Sequence, residues 1–149
     1  MTRDWTIRPL QSSDRAAVDD LLDRAFGPDR HGRTAYRLRT GVESIPALCF
    51  VAQGVGGRLL GSIECWPVTL VARPASIDLT LLGPLGVDPD HQGIGVGRAL
   101  LRTATDAADR EQLGLMVLIG DQDYYAGFGF RAGLASDWAL PGPFERARL

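Results

Sequence analysis

Residues 84–102 read P-L-G-V-D-P-D-H-Q-G-I-G-V-G-R-A-L-L-R, and this stretch decides how the rest of the chain is understood. An apolar run, Leu79 to Val87, stops at Asp88-Pro89, and a helical pattern opens at Gln92-Gly93-Ile94-Gly95-Val96-Gly97. The pattern predicts a strand, a tight turn and a helix start. Three glycines at alternate positions in a first helical turn are unfavourable by about 2 kcal/mol relative to alanine, even allowing for a frayed end. A chain that keeps them does so for function. The function that fits is anion binding, because the first amide N–H groups of a helix lack internal partners and sit at the positive end of its dipole. Missing Cβ atoms let a phosphate approach the backbone closely.

Two common phosphate loops are excluded. The dinucleotide fingerprint Gly-x-Gly-x-x-Gly would need its third glycine at Arg98 or Leu100. The nucleoside triphosphate loop needs Gly-Lys-Ser/Thr, and the chain contains no lysine. What remains is Gln-x-x-Gly-x-Gly, here Gln92, Gly95 and Gly97, after a strand end carrying Leu85, Val87 and Pro89. This combination resembles the coenzyme A loop of the GNAT superfamily of N-acetyltransferases. A second resemblance lies downstream, in Asp121-Gln122-Asp123-Tyr124-Tyr125-Ala126-Gly127-Phe128-Gly129-Phe130. There Tyr125 stands four residues before a Gly-Phe pair, and the doubled tyrosine is similar to a bacterial subgroup of predicted acetyltransferases. The similarity covers roughly Phe26 to Pro143.

Outside these motifs the chain reads as a soluble globular protein. Its 149 residues suit one domain, 1–149, with 45% hydrophobic and 23% charged residues. A formal net charge of -2 argues against sequence-independent binding of nucleic acid. No apolar run reaches membrane-spanning length, and Met1-Thr2-Arg3-Asp4-Trp5 has no signal-peptide core, so the expected compartment is the cytoplasm with no membrane partner. Cys49 and Cys65 lie in apolar, strand-like runs and His31 and His91 are the two histidines. That set does not make a zinc site, and the thiols read as buried and free, a disulfide requiring the two strands to bring them together.

Trp5 to Arg8 alternates and ends at Pro9, predicting a first strand. Ser13-Asp14 offers a helix cap before Val18, Leu21, Leu22, Ala25 and Phe26, and Gly27-Pro28 closes that helix. Its carboxylates Asp14, Asp19, Asp20 and Asp23 read as a solvated face. From Asp29 to Arg39 the chain is dense in arginine, a loop and a short helix. Leu48 to Ala52 and Leu59 to Trp66 flank Gly54-Val55-Gly56-Gly57 as a hairpin, the second strand continuing through Val68 to Val71. A long helix is expected from about Gln92 to Gln112, then a central strand covered on both faces at Leu115 to Ile119. A polar cap and brief helix follow, and Gly129-Phe130 should return the chain to a strand. The tail after Trp138-Ala139-Leu140-Pro141-Gly142-Pro143 leaves room for a short last strand only.

The resemblance implies an α/β (α+β) GNAT fold: a central mixed, largely antiparallel sheet flanked by helices, with one splayed strand pair. It implies transfer of an acetyl group from acetyl-CoA to a primary amine, with no metal. The acceptor would be an amine-bearing small molecule or a protein amine. Cofactor contacts would come from Leu85, Gly86 and Val87 at the strand end and from Gln92, Gly93, Ile94, Gly95, Val96, Gly97 and Arg98 around the pyrophosphate. The pantetheine arm would lie between the strands holding Leu85 to Val87 and Leu115 to Ile119. The Val87 N–H would point at the thioester oxygen and stabilise the oxyanion. The segment between the first two strands would wall the acceptor site, where Arg30, Arg33, Arg37 and Arg39 either hold an anion or form a solvated helix face.

Tyr125 is the expected proton donor to the leaving thiolate, although a phenol of pKa about 10 giving a proton to a thiol of about 8.5 is uphill by ~2 kcal/mol. It therefore needs a lowered pKa or acts by a strong hydrogen bond, and a half-buried aromatic under the coenzyme is the competing reading. Tyr124 reads as structural. A lysine-type amine is costly to neutralise near pH 7, about 4 kcal/mol, so such an acceptor calls for a base. Glu64, acting through water, is the candidate, with a solvent-facing strand residue as its alternative. His91 reads as an exposed turn residue. A non-catalytic acyl-CoA sensor would use the same loop, and a nucleic-acid-directed toxin of this fold sits poorly with the acidic balance. Oligomeric state is open, a homodimer included.

Overall fold

The computed structural model describes residues 4–72, 74–132, 135, 138–140 and 149. Five strands form one sheet in the order β1-β2-β3-β4-β5, with β1 at Trp5–Pro9, β2 at Phe50–Gly54, β3 at Leu59–Ala72, β4 at Ala75–Val87 and β5 at Met116–Val117. The first four run antiparallel to their neighbours and β5 joins β4 in parallel. A parallel neighbour needs a crossover, and α3 at Val96–Arg110 supplies it. The remaining helices are α1 at Arg15–Phe26, α2 at Thr34–Leu38 and α4 at Gln122–Ala126.

Two apolar layers hold the helices on opposite faces of the sheet. Val96, Leu100, Leu101, Ala104, Ala107 and Ala108 of α3 pack on Leu60, Ile63, Cys65 and Leu82. Their spacing at three and four residues gives one continuous stripe. Val18, Leu21 and Leu22 of α1 pack on Val51 and Leu59. Leu100 is fully buried, and truncating it to alanine is expected to cost about 2–5 kcal/mol.

Along β3, alternate residues serve these two faces, as strand geometry requires. Ile63 and Cys65 enter the α3 layer, whereas Glu64 reaches back to Arg15 of α1. Burial pushes the Cys65 thiol up to about 12 and raises Cys49 as well, so both stay protonated, free thiols. Asp14 departs from the expected solvated face: it is buried and accepts both Arg8 Nη groups at 2.8 and 2.9 Å and the Gln11 N–H at 2.8 Å.

Three expectations are corrected here. The long helix begins at Val96 rather than Gln92, because Gly93 and Gly95 adopt φ of 81° and 92°, which a right-handed helix cannot contain. The Leu115 to Ile119 run is not a strand buried on both faces. Only Met116 and Val117 pair, both half-buried, and Leu115 is 64% exposed at what is, among the described residues, the edge of the sheet. Gly129-Phe130 forms no strand among the described residues, since Phe128 and Gly129 close a turn onto Tyr125 and Ala126. The expected short last strand after Pro141 lies outside the described residues.

Candidate active site

The site forms where β4 parts from β5. The two strands pair only at Thr80↔Met116 and Leu81↔Val117, so the edge of β4 from Leu82 onward is left open. On its other side β4 stays paired with β3 through Gly61↔Val87, but with a register shift between Ile63↔Leu85 and Cys65↔Leu82. Gly83 and Pro84, joined by a cis peptide, are the two residues opposite Glu64 in that bulge. A bulge of this kind re-aims the strand beyond it.

The direction of the backbone groups follows from one hydrogen bond. Asp88 N–H donates to the Leu60 carbonyl at 2.8 Å, toward β3. In an antiparallel ladder successive residues point their N–H and C=O groups to opposite edges. Val87 and Leu85 therefore face the open side. Gly86 faces β3, and a Cβ on it would come within 2.7 Å of Leu22 and 3.3 Å of Leu21. Gly86 lets α1 lie close against β4, and its backbone groups face β3 rather than the open edge.

The turn after β4 is anchored by Asp88, which is completely buried. Its carboxylate accepts from Arg24 of α1 and Arg58 of the β2–β3 turn, each at 2.9 Å, and from the Asp90 N–H at 2.9 Å. Burial alone would raise its pKa. The Asp90 amide and the two guanidinium groups outweigh that, holding the carboxyl well below the usual range. Asp88 caps a 3-10 turn, Pro89–His91, and the chain then bends through Gly93 and Gly95 into α3. Among the described residues, the backbone N–H groups of Gly95 to Arg98 make no hydrogen bond to the protein. They stand at the positive end of a 15-residue helix. Asp88 escaped the sequence reading, although Asp-Pro after a strand is the signal of such a cap. His91 is half-buried rather than exposed, its Nδ1 3.7 Å from Asp88.

Of the two tyrosines of α4, whose N-cap Asp121 accepts the Asp123 N–H at 2.9 Å, Tyr124 approaches this turn and Tyr125 lies against Gly120. Tyr125 is half-buried, edge-on to Phe130 and to Tyr124, and packs into the α3 layer. The hydroxyl of Tyr124 lies over the first turn of α3, 2.9 Å from where a Cβ on Gly97 would sit. Burial raises the Tyr124 pKa against the opposing charge of Arg98. Tyr124 thus covers the turn rather than supporting the core, and Gly97 is small because that hydroxyl occupies the space. Ile94 stands exposed at the tip of the loop.

On the α1 face, Glu64 is 2% exposed, which overturns the solvent-facing alternative. Arg15 engages both its oxygens, Nη1 to Oε1 at 2.8 Å and Nη2 to Oε2 at 3.3 Å. The arginines between α1 and β2 divide. Arg30 is buried and donates to Asp23 at 2.8 Å and to the Tyr36 hydroxyl at 2.8 Å, so it is a fastening of the segment rather than a solvated or ligand-seeking residue. Arg33 is exposed and reaches the Phe26 carbonyl at 3.1 Å. Arg37 is exposed on α2. Arg39 lies against the rings of Tyr36 and Trp66 and donates to the Gly83 carbonyl at 3.2 Å, which also accepts from Trp66 Nε1 at 2.8 Å.

A strand pair that opens where a glycine turn leads into a helix, with a tyrosine-bearing helix beside it, defines a fold of acyl-group transferases, and residues 46–132 match the family described as Acetyltransferase (GNAT) domain. The chain belongs to that family and is an acetyltransferase. Among its relatives is the uncharacterized N-acetyltransferase YjhQ of Escherichia coli K12, 28% identical over 140 residues, covering 94% of this chain and 76% of YjhQ. Another is the uncharacterized N-acetyltransferase YhbS of the same organism, 29% identical over 126 residues, covering 83% of this chain and 72% of YhbS. A GNAT family acetyltransferase from Brucella melitensis, solved in complex with acetyl-CoA, superposes with a TM-score of 0.69 at 29% identity, covering 95% of this chain and 90% of that one. The structure of Escherichia coli YhbS in complex with CoA shares the fold at a TM-score of 0.79 and 24% identity, covering 99% and 80%. Among the described residues no helix is long and apolar enough to cross a membrane.

Proposed function

We propose that the chain transfers the acetyl group of acetyl-CoA directly to a primary amine. The observation that carries this reading is the set of unpartnered amides, Gly95 to Arg98, at the end of the open edge of β4. The pyrophosphate fits on those amides, with Gln92, Gly93, Ile94 and Val96 around it, because a helix start offers oriented N–H donors and a favourable dipole. Arg98 adds a charged donor. From there the pantetheine arm has one route into the sheet, along the edge left by Leu82 to Val87. Leu85 and Val87 then pair with it as a missing strand would, and the Val87 N–H meets the thioester oxygen as negative charge develops there.

The amine reaches the thioester from the α1 and α2 side, since the opposite face of β3 and β4 is filled by α3. Attack of the amine nitrogen on the thioester carbon forms the new C–N bond, and collapse breaks the C–S bond. The departing thiolate needs a proton, which Tyr125 supplies or stabilises through its hydroxyl, with Tyr124 as the second hydroxyl near the turn. Glu64 is the carboxylate on the acceptor face. Clamped by Arg15, it accepts the amine proton through water only as one Arg15 N–H lets go. An acceptor that arrives neutral makes that step unnecessary.

The test is release of free thiol from acetyl-CoA in the presence of amines. Turnover by the wild type with at least one amine supports the transfer. Tight coenzyme binding with no turnover across amino acids, polyamines and lysine-bearing peptides would support the acyl-CoA sensor instead. The chain has no lysine of its own, so thiol release on adding a peptide reports the peptide.

A further inference from the structure

We propose that Arg39 reads a carboxylate on the acceptor, so that the substrate is an amine that also carries a carboxylate, as amino acids do. This deepens the transfer reading above and rests on it. Charge is the starting point. Arg8, Arg15, Arg24, Arg30 and Arg58 each have a carboxylate within 4.0 Å, from Asp14, Glu64, Asp88, Asp23 and Asp88 respectively. Arg39, among the described residues, has none. Glu64 lies near enough for its field to reach Arg39, but both its oxygens are taken by Arg15. Arg39 thus carries a positive charge that no carboxylate contact neutralises among the described residues.

The geometry holds that charge ready. The guanidinium carbon of Arg39 is 3.5 Å from the centre of the Tyr36 ring and 4.8 Å from that of Trp66. Both rings thus pack against the guanidinium, which binds through its N–H groups. One N–H is fixed on the Gly83 carbonyl, in the bulge where β4 opens. Tyr36 is itself held from behind by buried Arg30, which Asp23 orients. A planar fork fixed in this way suits a planar carboxylate, and the contact is strong because the group is partly withdrawn from water. The same cation–ring stack would also serve merely to fasten α2 over the bulge, and the experiment separates the two roles.

Thiol release is measured with acetyl-CoA and matched pairs of acceptors, the L-amino acids, β-alanine and γ-aminobutyrate against their carboxamides, for wild type, Arg39→Gln and Arg39→Lys. Coenzyme binding by each protein is followed by calorimetry. The wild type is expected to prefer the acid over its amide by about 10- to 100-fold in kcat/KM, the range for a hydrogen-bonded charge pair. In Arg39→Gln that ratio falls toward 1 through a raised KM for the acid, and Arg39→Lys recovers part of it. A wild type that uses amides or plain alkylamines as well as acids overturns the inference. So does an Arg39→Gln enzyme that loses acid and amide activity in equal measure, which is the fastening role. Loss of coenzyme binding by the wild type would instead refute the proposed function, so the two failures are distinguishable.

Discussion

The two structures that flank the open edge of β4 are built on opposite plans. The glycine turn is a backbone device: its donors are amides, its shape comes from positive φ at Gly93 and Gly95, and one buried carboxylate, Asp88, anchors it to α1 and to the β2–β3 turn. The proposed acceptor wall is a side-chain device, in which Arg15, Arg30 and Arg39 are set by Glu64, Asp23, Tyr36 and Trp66. A backbone device suits the part of a substrate that never changes, which in the proposed function is the pyrophosphate. A side-chain device can be rewritten one residue at a time, which is where specificity belongs.

The contrast breaks most sharply at Asp88. Asp88→Ala would remove the shared partner of Arg24 and Arg58 and free the 3-10 turn, and because both arginines keep access to water the loss of stability is expected to be about 2–3 kcal/mol. Urea midpoints measure it. An effect under about 1 kcal/mol would mean that the turn holds its shape without the anchor.

At the chemical step, Tyr125→Phe is expected to lower kcat by about 100-fold, at the low end of general acid–base effects, with little change in coenzyme affinity. Tyr124→Phe should act on coenzyme affinity instead, since its hydroxyl stands over Gly97. A reversal of these two patterns would move the proton donor to Tyr124.

Acidification separates the two regions again. Asp88 and Asp14 are both held below their unfolded pKa of about 3.9, so each contributes stability that is fully present above that value. It is lost as pH falls through the folded pKa. Wild-type stability should therefore decline below about pH 4, and Asp88→Asn should show a shallower decline in that window, measured by urea unfolding at a series of pH values. Equal slopes would remove Asp88 from the acid response.

Arg33→Ala is expected to do least, within about 0.5 kcal/mol of wild-type stability, because Arg33 is exposed and touches only the Phe26 carbonyl and, loosely, the Phe26 ring among the described residues. A large effect would show that the α1–α2 segment depends on more than Arg30 and Arg39.

Hydrophobic periodicity makes the order of strands and helices legible, and the glycine spacing locates the turn into α3 and its unpartnered amides within a few residues. The start of α3 was misread by four residues because Gly93 and Gly95 read as a helix first turn, whereas their φ values place them outside it. Gly86 could not be assigned from sequence, since a bulge at Gly83 and Pro84 decides which edge each later residue faces. Glu64 and its partner Arg15 are 49 residues apart, and nothing local announces the pair. Arg39 carries the same letter as its three neighbours in the arginine-rich stretch, and only the packing of Tyr36 and Trp66 around it sets it apart.

Bare amides at the start of α3 are proposed to bind the coenzyme. Calorimetric titration of acetyl-CoA into wild type, Gly95→Ala and Gly95→Glu tests this most directly, with circular dichroism confirming that each protein is folded. A Cβ at Gly95 meets nothing within 4 Å, so alanine adds only the cost of a positive φ, about 1–2 kcal/mol, while glutamate also brings a negative charge to the nest. Wild type is expected to bind in the micromolar range, Gly95→Ala to form a weaker complex and Gly95→Glu none. Binding that survives Gly95→Glu, or folded wild type that binds no acetyl-CoA, would contradict this proposal.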